Sequence, residues 1–111
     1  MNGISTHILD TAKGRPAQGV RVTAERMSAD GTFVAAGEGV TDSNGRIPQL
    51  LGSEALQAGT YRLTFYAGDY FGDHTAFYSE IIVQFLVRDL STHYHVPLLL
   101  SPYGYTTYRG S

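Results

Sequence analysis

The sequence predicts an all-β domain, a sandwich or barrel of short strands accompanied by one short helix. Apolar and polar residues alternate with a period of two over several stretches of strand length, which is the pattern of half-buried strands. Between those stretches stand Gly, Asp and Asn, the residues that turns require. With 111 residues, 42% of them hydrophobic, the chain reads as a single domain over residues 1–111 with one core.

The first strand is expected over residues 4–10 and ends at a turn around Lys13, Gly14, Arg15 and Pro16. Val20, Val22 and Ala24 alternate with Arg21, Thr23 and Glu25 to give a second strand, half buried. Asp30-Gly31 is a hairpin turn leading into a strand over 32–40. In the next turn, Asp42-Ser43-Asn44-Gly45, both Asn44 and Gly45 tolerate positive φ. The helix is expected next: Ser53 can cap it, Glu54 suits the positive end of its dipole, and Gly59 stops it. Tyr61, Leu63 and Phe65 then alternate with Arg62, Thr64 and Tyr66, and a long loop over 68–79 holds His74, a surface or structural histidine. The following stretch, Ile81-Ile82-Val83-Gln84-Phe85-Leu86-Val87, is apolar on both faces. One face of a strand in a small sandwich normally meets water, so its second face is expected to be covered by another subunit and the protein to be an oligomer.

Composition excludes several classes. A net charge of −2 offers no basic field for nucleic acid or an anionic membrane. The absence of cysteine excludes disulfides and thiolate metal sites. No apolar run approaches a membrane span, no signal peptide is recognised at the start, and the final tripeptide is not a peroxisomal one, so a cytoplasmic location is expected. Metalloprotease, nucleophile-elbow, phosphate-loop and dinucleotide motifs are all missing.

The chemistry is concentrated near the end of the chain, in His93-Tyr94-His95-Val96-Pro97-Leu98-Leu99-Leu100-Ser101-Pro102. Tyr94, Val96, Leu98 and Leu100 form the core face of a strand, which turns His93 and His95 together to the other face. Tyr105 is expected to face the core, which puts Thr106 and Tyr108 on the side of His95. His7, on the first strand, and Arg46, after the Asn44-Gly45 turn, are the other polar sites that could converge with them. Read singly, His7 is a surface histidine, Arg46 a charge flanking a turn, and the His93/His95 pair a solvated sheet face. A strand-based zinc site using His93, His95 and His7 is an alternative, although no carboxylate stands beside them in sequence.

These residues carry a resemblance. Ser5-Thr6-His7-Ile8-Leu9-Asp10, Gly14-Arg15-Pro16-Ala17, Thr41-Asp42-Ser43-Asn44-Gly45-Arg46, the stretch from His93 to Pro102, and the ending Tyr105-Thr106-Thr107-Tyr108-Arg109-Gly110-Ser111 closely resemble the transthyretin-related 5-hydroxyisourate hydrolases over essentially the whole chain. The terminal Tyr-Arg-Gly-Ser is that family's discriminating signature. Hormone-carrying transthyretins share the fold but have lysine, glutamate and threonine where this chain has His7, Arg46 and His95. The resemblance implies a transthyretin-like two-sheet antiparallel β-sandwich, assembled as a homotetramer with active sites at the ends of a central channel. It implies hydrolysis of a ring amide of 5-hydroxyisourate to 2-oxo-4-hydroxy-4-carboxy-5-ureidoimidazoline in urate breakdown. His7, Arg46 and His95 would be catalytic, and Tyr108, Ser111 and His93 would bind substrate. No metal, cofactor, nucleic acid or membrane partner is expected. One departure is Ser79 in Tyr78-Ser79-Glu80, where the family usually has proline.

Overall fold

A computed structural model describes residues 2–72 and 75–111. Two sheets face each other. The first is built on β1 (Gly3–Asp10), which pairs with β2 (Arg15–Pro16), with β5 (Arg46–Gly52) and with β8 (His93–Ser101); β9 (Gly104–Thr107) extends it beyond β8. The second has the order β4 (Phe33–Val40), β3 (Arg21–Met27), β6 (Gly59–Phe65), β7 (Ile81–Val87). All pairings are antiparallel except β1 with β8, which runs parallel from Gly3↔His93 to Asp10↔Leu100. A parallel pair needs a long crossover, and the whole second sheet supplies it.

The core is filled from the alternating positions of both sheets. Ile4 and Ile8 on β1, Leu98 and Leu100 on β8, Val22 on β3, and Tyr61, Leu63 and Phe65 on β6 are all fully buried. Each such aliphatic side chain contributes about 1.5–3 kcal/mol by leaving water. On β1, Thr6 also faces inward and donates its hydroxyl to the Val96 carbonyl at 2.7 Å, tying β1 to β8 from the core side. Ser5 and His7 are consequently on the outer side of the same strand.

The short helix lies elsewhere than expected. Residues 53–56 form successive turns (Ala55 N–H to Gly52 O, 3.2 Å; Leu56 N–H to Ser53 O, 3.4 Å), while the only helix among the described residues, α1, spans Ala67–Phe71 inside the anticipated loop. Tertiary anchoring overrides local capping here. Buried Leu56 pins the first segment, and the Gln57 N–H is taken by the Tyr61 hydroxyl at 3.1 Å. At α1, Tyr70 donates to buried Asp10 at 2.8 Å, and Ala67 is buried. Burial and the Asp10 carboxylate together push the Tyr70 phenol up to about 12. His74 lies outside the described residues.

β7 is an edge strand with its ends buried at Ile81 and Val87, while Ile82 and Leu86 on its other face are half exposed at 52% and 49%. The apolar second face expected from the sequence is therefore open in the single chain. Tyr105 differs from expectation. It pairs with Leu100 on the core side, but at the end of the sandwich, where it remains 41% exposed and packs edge-on against Tyr78 at 5.3 Å. No helix among the described residues is long and apolar enough to cross a membrane.

The turn before β5 fixes where Arg46 starts. Asp42 Oδ1 accepts from the Asn44 and Arg46 N–H groups, each at 2.9 Å, and Gly45 adopts φ +74° with its carbonyl accepting from the Ile8 N–H at 2.7 Å. A Cβ on Gly45 would collide with the Ile8 carbonyl. Gly45→Ala should therefore cost about 1–3 kcal/mol in urea denaturation, because both φ and space oppose the methyl. A loss below a few tenths would contradict this account of the turn.

Candidate active site

The β1–β8 register builds the site. Ser5 stands directly beside His95 across the parallel pair, and His93 lies two residues before His95 on the same face. On the other side of β1, His7 pairs with Arg46 of β5. One outer sheet face thus carries Ser5, His7, Arg46, His93 and His95. Ser5, Arg46, Pro48, His93, His95 and Ser111 line a cleft of about 320 Å³ together with Thr6. His7 lines the adjoining depression with Asn44, and Arg46 borders both.

Of the six residues expected in the site, the cleft gathers Arg46, His93, His95 and Ser111 directly, with His7 next door. Tyr108 is not brought into that cleft. It lies 56% exposed on the far side of His95, in a neighbouring cleft lined by Val83, Phe85 and Leu86. The reason is that β9 ends at Thr107, whose hydroxyl holds the Pro97 carbonyl at 2.7 Å, and the chain then leaves the regular ladder.

Ser5 is the residue that sequence reasoning missed. Its hydroxyl lies 2.7 Å from His93 Nε2 and 2.8 Å from His95 Nδ1, bridging the two imidazoles. The signal was present in the alternation, since Ser5 and His7 are two apart on one strand. The partner across the parallel ladder was not visible without the register.

The tail is tied down by main-chain and side-chain contacts. Gly110 N–H donates to the His95 carbonyl at 2.8 Å in an isolated antiparallel bridge. A Cβ at Gly110 would come within 2.6 Å of His95 Cδ2, so only glycine lets the chain cross this close to the imidazole. The Arg109 guanidinium stacks over the Tyr94 ring at 4.6 Å and reaches Thr92 Oγ1 at 3.3 Å. These contacts deliver Ser111 to the cleft.

His95 is held below the ordinary histidine value of 6.5, chiefly by burial, and further by the positive potential of His7, His93 and Arg46. The shift favours the neutral imidazole over the charged one. Among the described residues, His7, His93 and His95 do not form a group arranged to hold a metal ion.

A sandwich of this topology, with a histidine-bearing face on the sheet that holds the parallel pair, is of the transthyretin type. The HIUase/Transthyretin family profile matches residues 4–110, and the chain belongs to that family. It is 46% identical over 115 aligned residues to the 5-hydroxyisourate hydrolase of Deinococcus radiodurans, covering 98% of this chain and 96% of the relative. It is 45% identical to the 5-hydroxyisourate hydrolase of Caulobacter vibrioides over the full length of both. Among solved structures, sea bream transthyretin in complex with thyroxine superposes with a TM-score of 0.91 at 34% identity, covering 96% of this chain and 93% of that one. The 5-hydroxyisourate hydrolase of Klebsiella pneumoniae gives a TM-score of 0.80 at 35% identity, covering 97% and 98%.

The depressed pKa carries a sign. Between its folded value and 6.5 the unfolded chain binds the extra proton, so His95 makes stability rise with pH in that window, with the full penalty below it. In an NMR titration the His95 ring should show its midpoint below 6.5. Arg46→Gln should raise that midpoint only part of the way, because burial is the larger cause and Arg46 the smallest of the four. A wild-type midpoint at or above 6.5 would contradict the description of the site.

Proposed function

We infer that this protein is a hydrolase that opens a ring amide of 5-hydroxyisourate, giving 2-oxo-4-hydroxy-4-carboxy-5-ureidoimidazoline in urate catabolism. The observation that carries the reading is the convergence of two imidazoles and a guanidinium, His7, His95 and Arg46, on one outer sheet face. The identity to named 5-hydroxyisourate hydrolases over nearly the whole chain supports the same reading. The likeness to a thyroxine-binding transthyretin is a likeness of fold, and the cleft lining decides against the carrier reading. An arginine, two histidines and two serines are poor company for an apolar hormone and good company for a polar, hydrogen-bonding heterocycle.

Hydrolysis of a cyclic amide needs a base for water, stabilisation of the carbonyl oxygen as it gains charge, and a proton for the departing nitrogen. In this reading His7 and His95 divide the work, one activating water and the other positioning the substrate or supplying the proton, as imidazoles can near neutral pH. Arg46 supplies fixed donors to the electron-rich ring and to the developing oxyanion. Its charge also helps keep His95 neutral. Ser111, lining the cleft, is placed to hold the polar rim of the substrate, whereas His93 lines the same cleft with its Nε2 on Ser5 and its Nδ1 buried. Tyr108 would reach the substrate from the neighbouring cleft, past His95.

The assembly proposed is a homotetramer. The open apolar face of β7, with Ile82 and Leu86 exposed on an edge strand, is the kind of surface a second copy covers. A cytoplasmic location fits a chain with this substrate. Sedimentation should give a mass of four 12.1 kDa chains, and a monomer at micromolar concentration would refute the tetramer.

Freshly generated 5-hydroxyisourate should lose its ultraviolet absorbance faster with the protein than alone, and EDTA should not slow it. His7→Ala and His95→Ala should each lower the rate by about 10² or more without unfolding the protein. Arg46→Glu should abolish turnover with the tetramer intact. Near-wild-type rates in both histidine variants would sink the mechanism, and loss of activity on chelation would favour a zinc-dependent reaction.

A further inference from the structure

The Ser5 hydroxyl, only 7% exposed as a residue, lies between two ring nitrogens: His93 Nε2 at 2.7 Å and His95 Nδ1 at 2.8 Å. A hydroxyl has one proton to give, so it cannot donate to both neutral rings. A second observation restricts the choice. On the far side of His93, Nδ1 is buried and has no hydrogen-bond partner.

Three arrangements are open. If Ser5 donated to His93 Nε2, the His93 proton would sit on Nδ1, leaving a buried N–H with no acceptor. If Ser5 accepted from both rings, its own O–H would be orphaned in a nearly buried site. If Ser5 accepts from His93 Nε2–H and donates to His95 Nδ1, the only unmatched atom is a bare ring nitrogen. Orphaned buried donors are the rarer and costlier failure, so the third arrangement is favoured.

We propose that Ser5 is a positioning residue that locks neutral His95 in the tautomer carrying its proton on Nε2, so that His95 meets the substrate as a hydrogen-bond donor and His7 is the base. The inference rests on the hydrolase reading for its catalytic meaning, although the tautomer itself does not depend on any substrate. His7 takes a proton from water as the water oxygen bonds to the ring carbonyl carbon. His95 Nε2–H donates a hydrogen bond to the carbonyl oxygen as it becomes an oxyanion, in the cleft that Arg46 also lines. When the C–N bond breaks, the oxyanion collapses to the carboxyl group and the His7 imidazolium returns its proton to the leaving nitrogen. His95 keeps its proton throughout, which is what a neutral imidazole can do without becoming an anion.

The experiment is nitrogen NMR of histidine-labelled protein at a pH where His95 is neutral, paired with steady-state kinetics. Wild-type His95 should show a protonated Nε2 and a bare Nδ1. Ser5→Ala should show both tautomers mixed, with kcat lowered about tenfold or more and KM little changed. Ser5→Thr, which keeps the hydroxyl, should retain the wild-type tautomer and most of kcat. A bare Nε2 in wild-type His95 would overturn the proposal, as would a Ser5→Ala protein that keeps the wild-type tautomer. If Ser5→Ala fails to fold, the wild-type and Ser5→Thr spectra still decide. Absence of turnover in the wild type would remove the hydrolase reading, while the Ser5 lock would stand or fall on the nitrogen spectra alone.

Discussion

The parallel pairing of β1 with β8 is the constraint from which the site follows. Two segments ninety residues apart in sequence lie in register from Gly3↔His93 to Asp10↔Leu100. On the core side that register is held by Ile4, Ile8, Leu98 and Leu100, all fully buried, and by the Thr6 hydroxyl on the Val96 carbonyl. A slip of one residue would turn these groups to water, at a cost no surface contact could offset. The same register sets Ser5 against His95 on the outer side. The geometry of the polar face is thus specified by the apolar one.

Around this pair the remaining site residues are delivered by two close main-chain approaches. The Asp42–Gly45 turn docks onto the Ile8 N–H and starts β5 with Arg46 opposite His7. The tail crosses His95 at Gly110, where the backbone lies so near the imidazole that no side chain fits. Both approaches use glycine for a steric reason. Arg109, clamped on Tyr94 and Thr92, serves the tail as an anchor while Ser111 reaches the cleft. The ending Tyr108-Arg109-Gly110-Ser111 is therefore divided in labour: one residue for the neighbouring cleft, one for anchoring, one for clearance and one for the site.

Much of this was legible in the sequence because strand alternation is strictly two-fold. The outward placement of His93 and His95 follows from the burial of Tyr94, Val96, Leu98 and Leu100, and the two open apolar positions of β7 follow from its composition. Non-local pairing was not legible. Ser5 became a site residue only through its neighbour across the parallel ladder, and Tyr108 left the expected cleft because β9 stops at Thr107. The helix lies away from its local sequence signals for a related reason. Ser53, Glu54 and Gly59 are sound local signals, but α1 owes its position to the Tyr70–Asp10 hydrogen bond and the burial of Ala67, which are tertiary. The resemblance to 5-hydroxyisourate hydrolases placed the fold and the residues expected to act, whereas the relation between Ser5 and the two imidazoles had to come from geometry.

The central claim is that a polar purine-derived ring binds the outer face of the five-stranded sheet, between Arg46 and His95. Titration of the protein with urate, a stable oxopurine, followed by heteronuclear NMR, tests that claim without relying on turnover. The account predicts shifts concentrated at Ser5, His7, Arg46, His95 and Ser111, all following one binding curve. Shifts confined to the outer face of the other sheet, around Glu25 and Arg62, with Arg46 and His95 silent, would contradict it.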